Sequence, residues 1–137
     1  MIVPIGTPVR ELLEAAGGLK GSAGQVICGG PMMGRAQDDL DVPVVKGTNA
    51  VLCLSAKDSV TEGTICIHCG LCVETCPMQL QPLYLYEYSE AGDQAALREY
   101  CLMDCIECGC CSYVCPGKLP LVEQIRRGKE LVRKVKG

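Results

Sequence analysis

The architecture of this chain is decided by one segment, Cys66-Ile67-His68-Cys69-Gly70-Leu71-Cys72-Val73-Glu74-Thr75-Cys76-Pro77. The segment recurs further along the chain as Cys105-Ile106-Glu107-Cys108-Gly109-Cys110-Cys111-Ser112-Tyr113-Val114-Cys115-Pro116. The four cysteines, the isoleucine, the glycine and the proline match position by position. The chain therefore contains an internal repeat of the pattern C-x2-C-x2-C-x3-C-P, and the separation of Cys66 from Cys105 defines the repeat length.

This pattern is typical of proteins that bind [4Fe–4S] clusters. Three thiolates spaced two residues apart allow a tight loop to wrap a cubane and bind three of its irons. The glycine after the second cysteine lets the backbone approach the inorganic sulfide and adopt a positive φ. The fourth cysteine cannot easily reach back to the same cubane, so we expect it to bind the other cluster.

The spacing thus predicts two crossed sets of ligands. The segment between Cys76 and Cys105 leaves enough chain for two helices that bring the motifs together. Such crossing would hold the clusters close enough for rapid electron transfer and give the region an internal pseudo-twofold axis. The predicted ligands are Cys66, Cys69, Cys72 and Cys115 for cluster 1, and Cys105, Cys108, Cys111 and Cys76 for cluster 2.

Zinc sites and disulfides are the alternatives for a chain with 12 cysteines in 137 residues. Zinc also binds C-x2-C pairs, but zinc sites rarely add a third cysteine at the same spacing followed by C-P. The N-terminal residues 1–6 lack the charged and apolar regions of a secretory signal. This favours a reducing compartment, in which cysteines are metal ligands more often than disulfides.

Four further cysteines lie outside the ligand pattern. Cys28 and Cys53 occur in apolar, strand-like runs and are predicted to be small buried residues. Cys110 breaks the ligand register and Cys101 precedes the second motif, and neither is expected to bind a cluster. The single histidine, His68, is expected to be an exposed loop residue, with proton-linked tuning of a cluster as the alternative.

Charge and motifs exclude several classes of function. Residues 1–120 contain 7 Lys and Arg against 14 Asp and Glu, whereas residues 121–137 contain 6 against 2. An acidic body with a basic tail does not favour binding of nucleic acid. No apolar run approaches the roughly 20 residues that span a bilayer. No phosphate-binding glycine motif or nucleophile–base pair occurs, so we predict no catalytic residue.

The chain divides into two parts of different character. Residues 1–57 predict a small α+β unit, with strand-like runs at 2–5, 25–28, 42–45 and 50–54, a helix capped by Thr7, and a loop at Gly29–Gly34. Residues 58–64 are a polar linker. Residues 65–137 predict a helical region that holds the clusters, with helices at 81–90, from Asp93 to about Cys101, and after Pro120.

Three further stretches, together with the doubled motif, resemble the C subunit of the Rnf complex, a membrane-bound ion-translocating ferredoxin:NAD oxidoreductase. They are Ile5-Gly6-Thr7-Pro8-Val9-Arg10-Glu11-Leu12-Leu13, Gly29-Gly30-Pro31-Met32-Met33-Gly34 and Lys46-Gly47-Thr48-Asn49-Ala50-Val51-Leu52. The resemblance implies an α+β fold in which a truncated, soluble-ligand-binding β-grasp unit precedes an α-helical dicluster ferredoxin-like domain.

The same resemblance implies a role as an electron relay at the cytoplasmic side of the membrane. FMN and NADH would bind only to an upstream domain outside this sequence, and the partners would be that domain and the other subunits of the complex. A reductase subunit of a cobalamin-processing system has a similar domain order and remains an alternative. A non-redox interaction module stabilised by metal is the other.

Overall fold

The computed structural model describes residues 1–19, 23–56 and 63–134. They form two compact units, one within residues 1–60 and the other within residues 61–137. The predicted α+β class is confirmed, since one unit contains a small sheet and the other is helical. The predicted linker 58–64 lies mostly outside the described residues, so the predicted domain boundaries stay predictions. In the described parts, no helix is long and apolar enough to cross a membrane.

In its described residues, the first unit consists of a three-stranded antiparallel sheet and one helix. The central strand β1 (Ala23–Cys28) pairs with β2 (Arg35–Gln37) on one side and β3 (Val51–Ser55) on the other. Helix α1 (Val9–Ala15) contributes Val9 and Leu13 to the core, where they form a cluster with Val26 of β1. The core therefore consists of aliphatic side chains from one helix face and the central strand.

Two predicted strands of this unit are wrong. Residues 2–5 are not in the described sheet, and residues 42–45 form only an isolated bridge between Pro43 and Pro8. The bridge consists of two flanking backbone bonds, from the Val9 amide to the Val42 carbonyl (3.0 Å) and from the Val44 amide to the Thr7 carbonyl (2.8 Å). The pairing ends on one side because α1 begins at Val9. The strands predicted at 25–28 and 50–54 are confirmed as parts of β1 and β3.

The predicted cap of the first helix is also wrong. The Thr7 hydroxyl donates a hydrogen bond to the Pro4 carbonyl (2.9 Å), and Pro8 occupies the capping position without a side-chain bond. The Thr7 hydroxyl, predicted to cap the helix, is therefore bonded within a tight turn that precedes the helix.

The predicted loop at Gly29–Gly34 is confirmed, and it is a turn that leads directly into β2, a strand the sequence did not predict. Gly29 has a φ of +112°, which few side chains tolerate, and the Gly34 amide donates to the Gly30 carbonyl at 2.8 Å. A Cβ at Gly34 would overlap Ile27. The conformation of this loop accordingly requires glycine at both ends.

In its described residues, the second unit contains five short or medium helices and a 3-10 turn, and the sequence predicted three of the helices. The predicted helix at 81–90 and the helix after Pro120 are confirmed, and the Asp93 carboxylate caps the helix Gln94–Glu99 by accepting from the amides of Ala95 and Ala96. The short helices inside the cysteine motifs were not predicted. The elements are α2 (Leu71–Glu74), α3 (Pro82–Ala91), α4 (Gln94–Glu99), the 3-10 turn Leu102–Asp104, α5 (Cys110–Val114) and α6 (Leu121–Lys134).

The internal repeat is visible in the packing of this unit. Helices α2 and α5 start one repeat length apart, as do α3 and α6, and each helix packs against its counterpart. Ser89 and Gly128 are also one repeat length apart, and they meet where α3 contacts α6, because a Cβ on Gly128 would overlap the Ser89 hydroxyl. This is the arrangement expected around an approximate two-fold axis.

Candidate iron–sulfur site

The two cysteine loops share an unusual backbone. Gly70 and Gly109, which follow the second cysteine of each motif, have φ values of 78° and 86°. This confirms the predicted need for a positive φ at that position. Each glycine also stands directly before a short helix, α2 or α5, so the chain turns out of the loop at the same point in both motifs.

The residue two positions after the first cysteine is also left-handed in both loops. His68 and Glu107 have φ values of 53° and 56°, a conformation that costs a non-glycine residue about 1–3 kcal/mol. Their amides donate to the sulfurs of Cys66 and Cys105, at 3.4 Å in each case. Amide donors to sulfur are a general means of stabilising thiolate ligands of clusters.

The first candidate site is a cavity of about 660 Å³, including its opening to solvent. Its walls are mainly apolar, and Leu83, Tyr84 and Leu121 lie among them. His68 lines it as well, and its side chain is exposed, as predicted. The cysteines that line the cavity are Cys66, Cys69, Cys72 and Cys115.

The second candidate site is a smaller cavity of about 360 Å³, including its opening. Leu85, Val122 and Ile125 contribute apolar walls. The cysteines that line it are Cys76, Cys105, Cys108, Cys110 and Cys111. In the described parts of the chain, no three His, Cys, Asp or Glu side chains converge on a point where one metal ion would be held. The cysteines are distributed around the cavities instead.

The electrostatics of the thiols depends mainly on burial. Burial raises the pKa of Cys111 to about 12 and also raises the pKa of Cys72. It raises the pKa of Cys105 as well, although the Glu107 amide and the charge of Lys129 act in the opposite direction. Ligation by iron would have to displace the thiol protons at these positions. Groups of cysteine sulfurs around apolar cavities fit the chemistry of thiolate-bound iron–sulfur clusters.

The remaining cysteines differ in their surroundings. Cys110 lines the second cavity, and a hydrogen bond to Cys108 raises its pKa. Cys101 is exposed and lines neither cavity. Cys28 is half-buried, but the predicted burial of Cys53 is wrong, because strand alternation turns its side chain outward from β3.

A buried charge network next to the second cavity was not predicted. Lys129 on α6 is 5% exposed, and its ammonium donates to the Cys105 carbonyl (2.5 Å) and to Glu107 Oε1 (2.9 Å). Arg126, one turn earlier, donates to Glu107 Oε2 at 2.9 Å. Burial raises the pKa of Glu107, but Lys129 and Arg126 outweigh that effect and lower it below its ordinary value.

Comparison with known proteins gives two family matches. Residues 65–118 match the 4Fe-4S dicluster domain, and residues 2–36 match the SLBB domain. The chain is 46% identical over 125 residues to the C subunit of the Na(+)-translocating ferredoxin:NAD(+) oxidoreductase complex of Acetobacterium woodii, covering 90% of this chain and 28% of that protein. This chain is a homologue of the C subunits of ion-translocating oxidoreductase complexes.

Other C subunits give similar values. Identity is 45% over 129 residues both to the ion-translocating oxidoreductase subunit of Erwinia tasmaniensis and to the proton-translocating ferredoxin:NAD(+) oxidoreductase subunit of Clostridium ljungdahlii. These alignments cover 91% and 92% of this chain, but 16% and 28% of the relatives. The chain thus spans less than a third of the C subunits that it matches. Its match to the dicluster domain supports iron–sulfur clusters as its cofactors.

Proposed function

We propose that this chain is an electron relay that holds two [4Fe–4S] clusters through crossed ligand sets. The observation that supports it best is the composition of the two cavities, since each contains the first three pattern cysteines of one motif and the fourth pattern cysteine of the other. The second cavity also contains Cys110, which lies outside the pattern. The proposed ligands are Cys66, Cys69, Cys72 and Cys115 for cluster 1, and Cys105, Cys108, Cys111 and Cys76 for cluster 2.

The protein's own residues have three tasks in this relay. The thiolates hold the irons, the amides of His68 and Glu107 donate to ligand sulfurs, and the apolar walls keep water from the cavities. Each cluster supplies a one-electron redox couple when it is bound. Cys111 packs in the same apolar cluster as Cys72, a proposed ligand of the other set, so the two clusters would be neighbours.

The wider function follows from the relatives. We propose that the chain serves in a ferredoxin:NAD oxidoreductase complex in which electron transfer is coupled to ion translocation. It would lie peripherally on the cytoplasmic side of the membrane and exchange electrons with other subunits. FMN and NADH would bind to a part of the C subunit outside these 137 residues.

Anaerobic reconstitution with analysis of iron and sulfide is the direct test. Two complete motifs predict about eight irons and eight sulfides per chain, with a visible band near 400 nm that bleaches on reduction. Cys101→Ser, at an exposed cysteine outside both cavities, is the matched control and should retain the full content. One zinc per motif without sulfide would exclude the proposal.

The crossed ligands need a separate test. Cys76→Ser should perturb the EPR signal of the cluster bound by the second motif, and Cys115→Ser that of the first. Because Cys76 and Cys115 are equivalent positions of the repeat, each variant serves as the control for the other. If Cys76→Ser alters the cluster bound by Cys66, Cys69 and Cys72, each motif is self-contained.

The absence of NADH chemistry in these residues is tested by mixing the reduced nucleotide with the oxidised, reconstituted chain. We expect no bleaching of the clusters until a flavoprotein is added. Rapid bleaching by NADH alone would mean that these residues bind and oxidise the nucleotide, contrary to the proposal.

A further inference from the structure

The two halves of the repeat carry opposite charges on equivalent positions of their helices. Glu87 and Glu90 of α3 correspond, one repeat length later, to Arg126 and Lys129 of α6. These helices follow their cysteine motifs at the same distance and pack against each other. Two repeat-related positions therefore carry charges of opposite sign in the two halves.

Around the second motif, the positive charges are fixed and largely shielded from water. The ammonium of Lys129 contacts the carbonyl of Cys105, a proposed ligand, and the side chain is 5% exposed. Glu107 contributes one negative charge, but it lies between two cations, since Lys129 and Arg126 bond its two oxygens. Within this bonded group, two cations and one carboxylate leave a net positive charge. Asp104, which precedes Cys105, is exposed, so its negative charge is screened more strongly by solvent.

Around the first motif, the equivalent positions are acidic and exposed. Glu90 accepts a hydrogen bond from the Tyr86 hydroxyl at 2.8 Å, and Glu87 is at the surface. His68 occupies the place of Glu107 and is also exposed. The amides of His68 and Glu107 donate to ligand sulfurs at the same distance, 3.4 Å, and the Leu80 amide adds a further bond of 3.4 Å to Cys76, a proposed ligand of the second set.

We propose that Lys129, held by Glu107, is a tuning residue that gives the second cluster the higher reduction potential. After reduction of the chain by one electron, that electron would therefore reside mainly on the second cluster. This inference rests on the proposed function. Net positive charge near a cluster stabilises its reduced form, and a buried charge is screened much less than an exposed one.

The test is an EPR-monitored reductive titration of the reconstituted chain. Cys69→Ser, which changes a ligand of the first cluster only, assigns the signals. In the unmodified chain, the cluster of the second motif should be reduced first. Lys129→Met should shift the ratio of electron occupancy by about tenfold toward the first cluster, which is about 59 mV for a one-electron couple.

Glu107→Gln should shift the ratio of electron occupancy in the opposite direction to Lys129→Met. It removes the carboxylate charge and keeps an oxygen for Lys129, so the ratio should move toward the second cluster. Arg127→Met is the matched control, because it removes an exposed cation of the same helix that pairs with Glu123 at 2.6 Å. It should change the ratio by less than about twofold.

Failure of the tuning role of Lys129 can be distinguished from failure of cluster binding. Absence of eight irons and eight sulfides in the unmodified chain would count against the clusters themselves. With full loading, earlier reduction of the first cluster overturns the tuning role. So do shifts of the same sign for Lys129→Met and Glu107→Gln, or no shift in either. If Lys129→Met fails to assemble, the order of reduction and Glu107→Gln still decide.

Discussion

The helical core and the cysteine loops of the second unit are built in different ways. Leu85, Leu97 and Leu102 are almost completely buried, and they join Ile125 in a cluster that α3, α4 and α6 enclose. In the loops, apolar side chains face outward, and Ile67 is 68% exposed. Side chains alone complete the helical core, whereas the interior of the loops is lined by thiols. We infer that the loops depend on their cofactor for stability and the helical core depends on it less.

Removal of iron should produce the largest difference in amide protection between the helical core and the cysteine loops. Metal-binding free energy is folding free energy where the site does not persist without metal. Chelation under anaerobic conditions should abolish amide protection in residues 65–79 and 105–120, while α3 and α6 retain part of theirs. Hydrogen exchange measured by mass spectrometry on the whole chain distinguishes the regions. Equal loss of protection throughout would make the helical core as dependent on clusters as the loops.

Truncation in the helical core should have the next largest effect. Leu97→Ala removes a fully buried side chain and should lower the free energy of unfolding of the reconstituted chain by about 2–5 kcal/mol. Ile67→Ala, in the exposed part of a cysteine loop, should cost less than about 0.5 kcal/mol. Denaturant titration followed by circular dichroism measures both. Similar costs would mean that the loop isoleucine packs in solution.

Gly128→Ala should cost about 1–3 kcal/mol, because the new methyl group would overlap the Ser89 hydroxyl where α3 contacts α6. Ser89→Gly in the same chain removes the overlapping atoms and should recover most of the loss. A double-mutant cycle in denaturant provides the measurement. Additive effects of the two substitutions would place the strain elsewhere.

The smallest effect concerns the cap of α4. Asp93→Ala leaves two amides without their carboxylate partner and should cost about 1 kcal/mol. Asp104→Ala, at an exposed residue in the 3-10 turn, is the control and should stay within about 0.5 kcal/mol of the unmodified chain. Thermal unfolding resolves the difference. Equal melting temperatures would show that water replaces the cap.

Local rules explain what the sequence predicted correctly. The cap at Asp93 and the positive φ of Gly70 and Gly109 depend on a few neighbouring residues. The cysteine spacing was informative for the same reason, since a loop that binds three irons leaves the backbone few alternatives. The cavities assemble the predicted ligands, and the ligand assignment itself remains to be tested.

Long-range contacts explain which features could not be predicted from the sequence. The sequence predicts the helix that contains Lys129, but the partners Cys105 and Glu107 lie 24 and 22 residues away, and no periodicity reveals such a bond. The strand predicted at 42–45 had a suitable composition, but its partner segment turns into α1 at Val9, so only an isolated bridge forms. The one available signal for the buried network was the reversed charge at repeat-related positions.

The contact between Ser89 and Gly128 has a consequence for symmetry. In a homodimer built about a true two-fold axis, a residue on the axis faces a copy of itself, so one residue type must serve both sides. Here the two sides belong to a single chain, and they hold different residues, a hydroxyl-bearing one and one without a side chain. The two helices therefore approach closely through two different residues at equivalent positions. A repeat within one chain can place different residues there, whereas two identical protomers cannot.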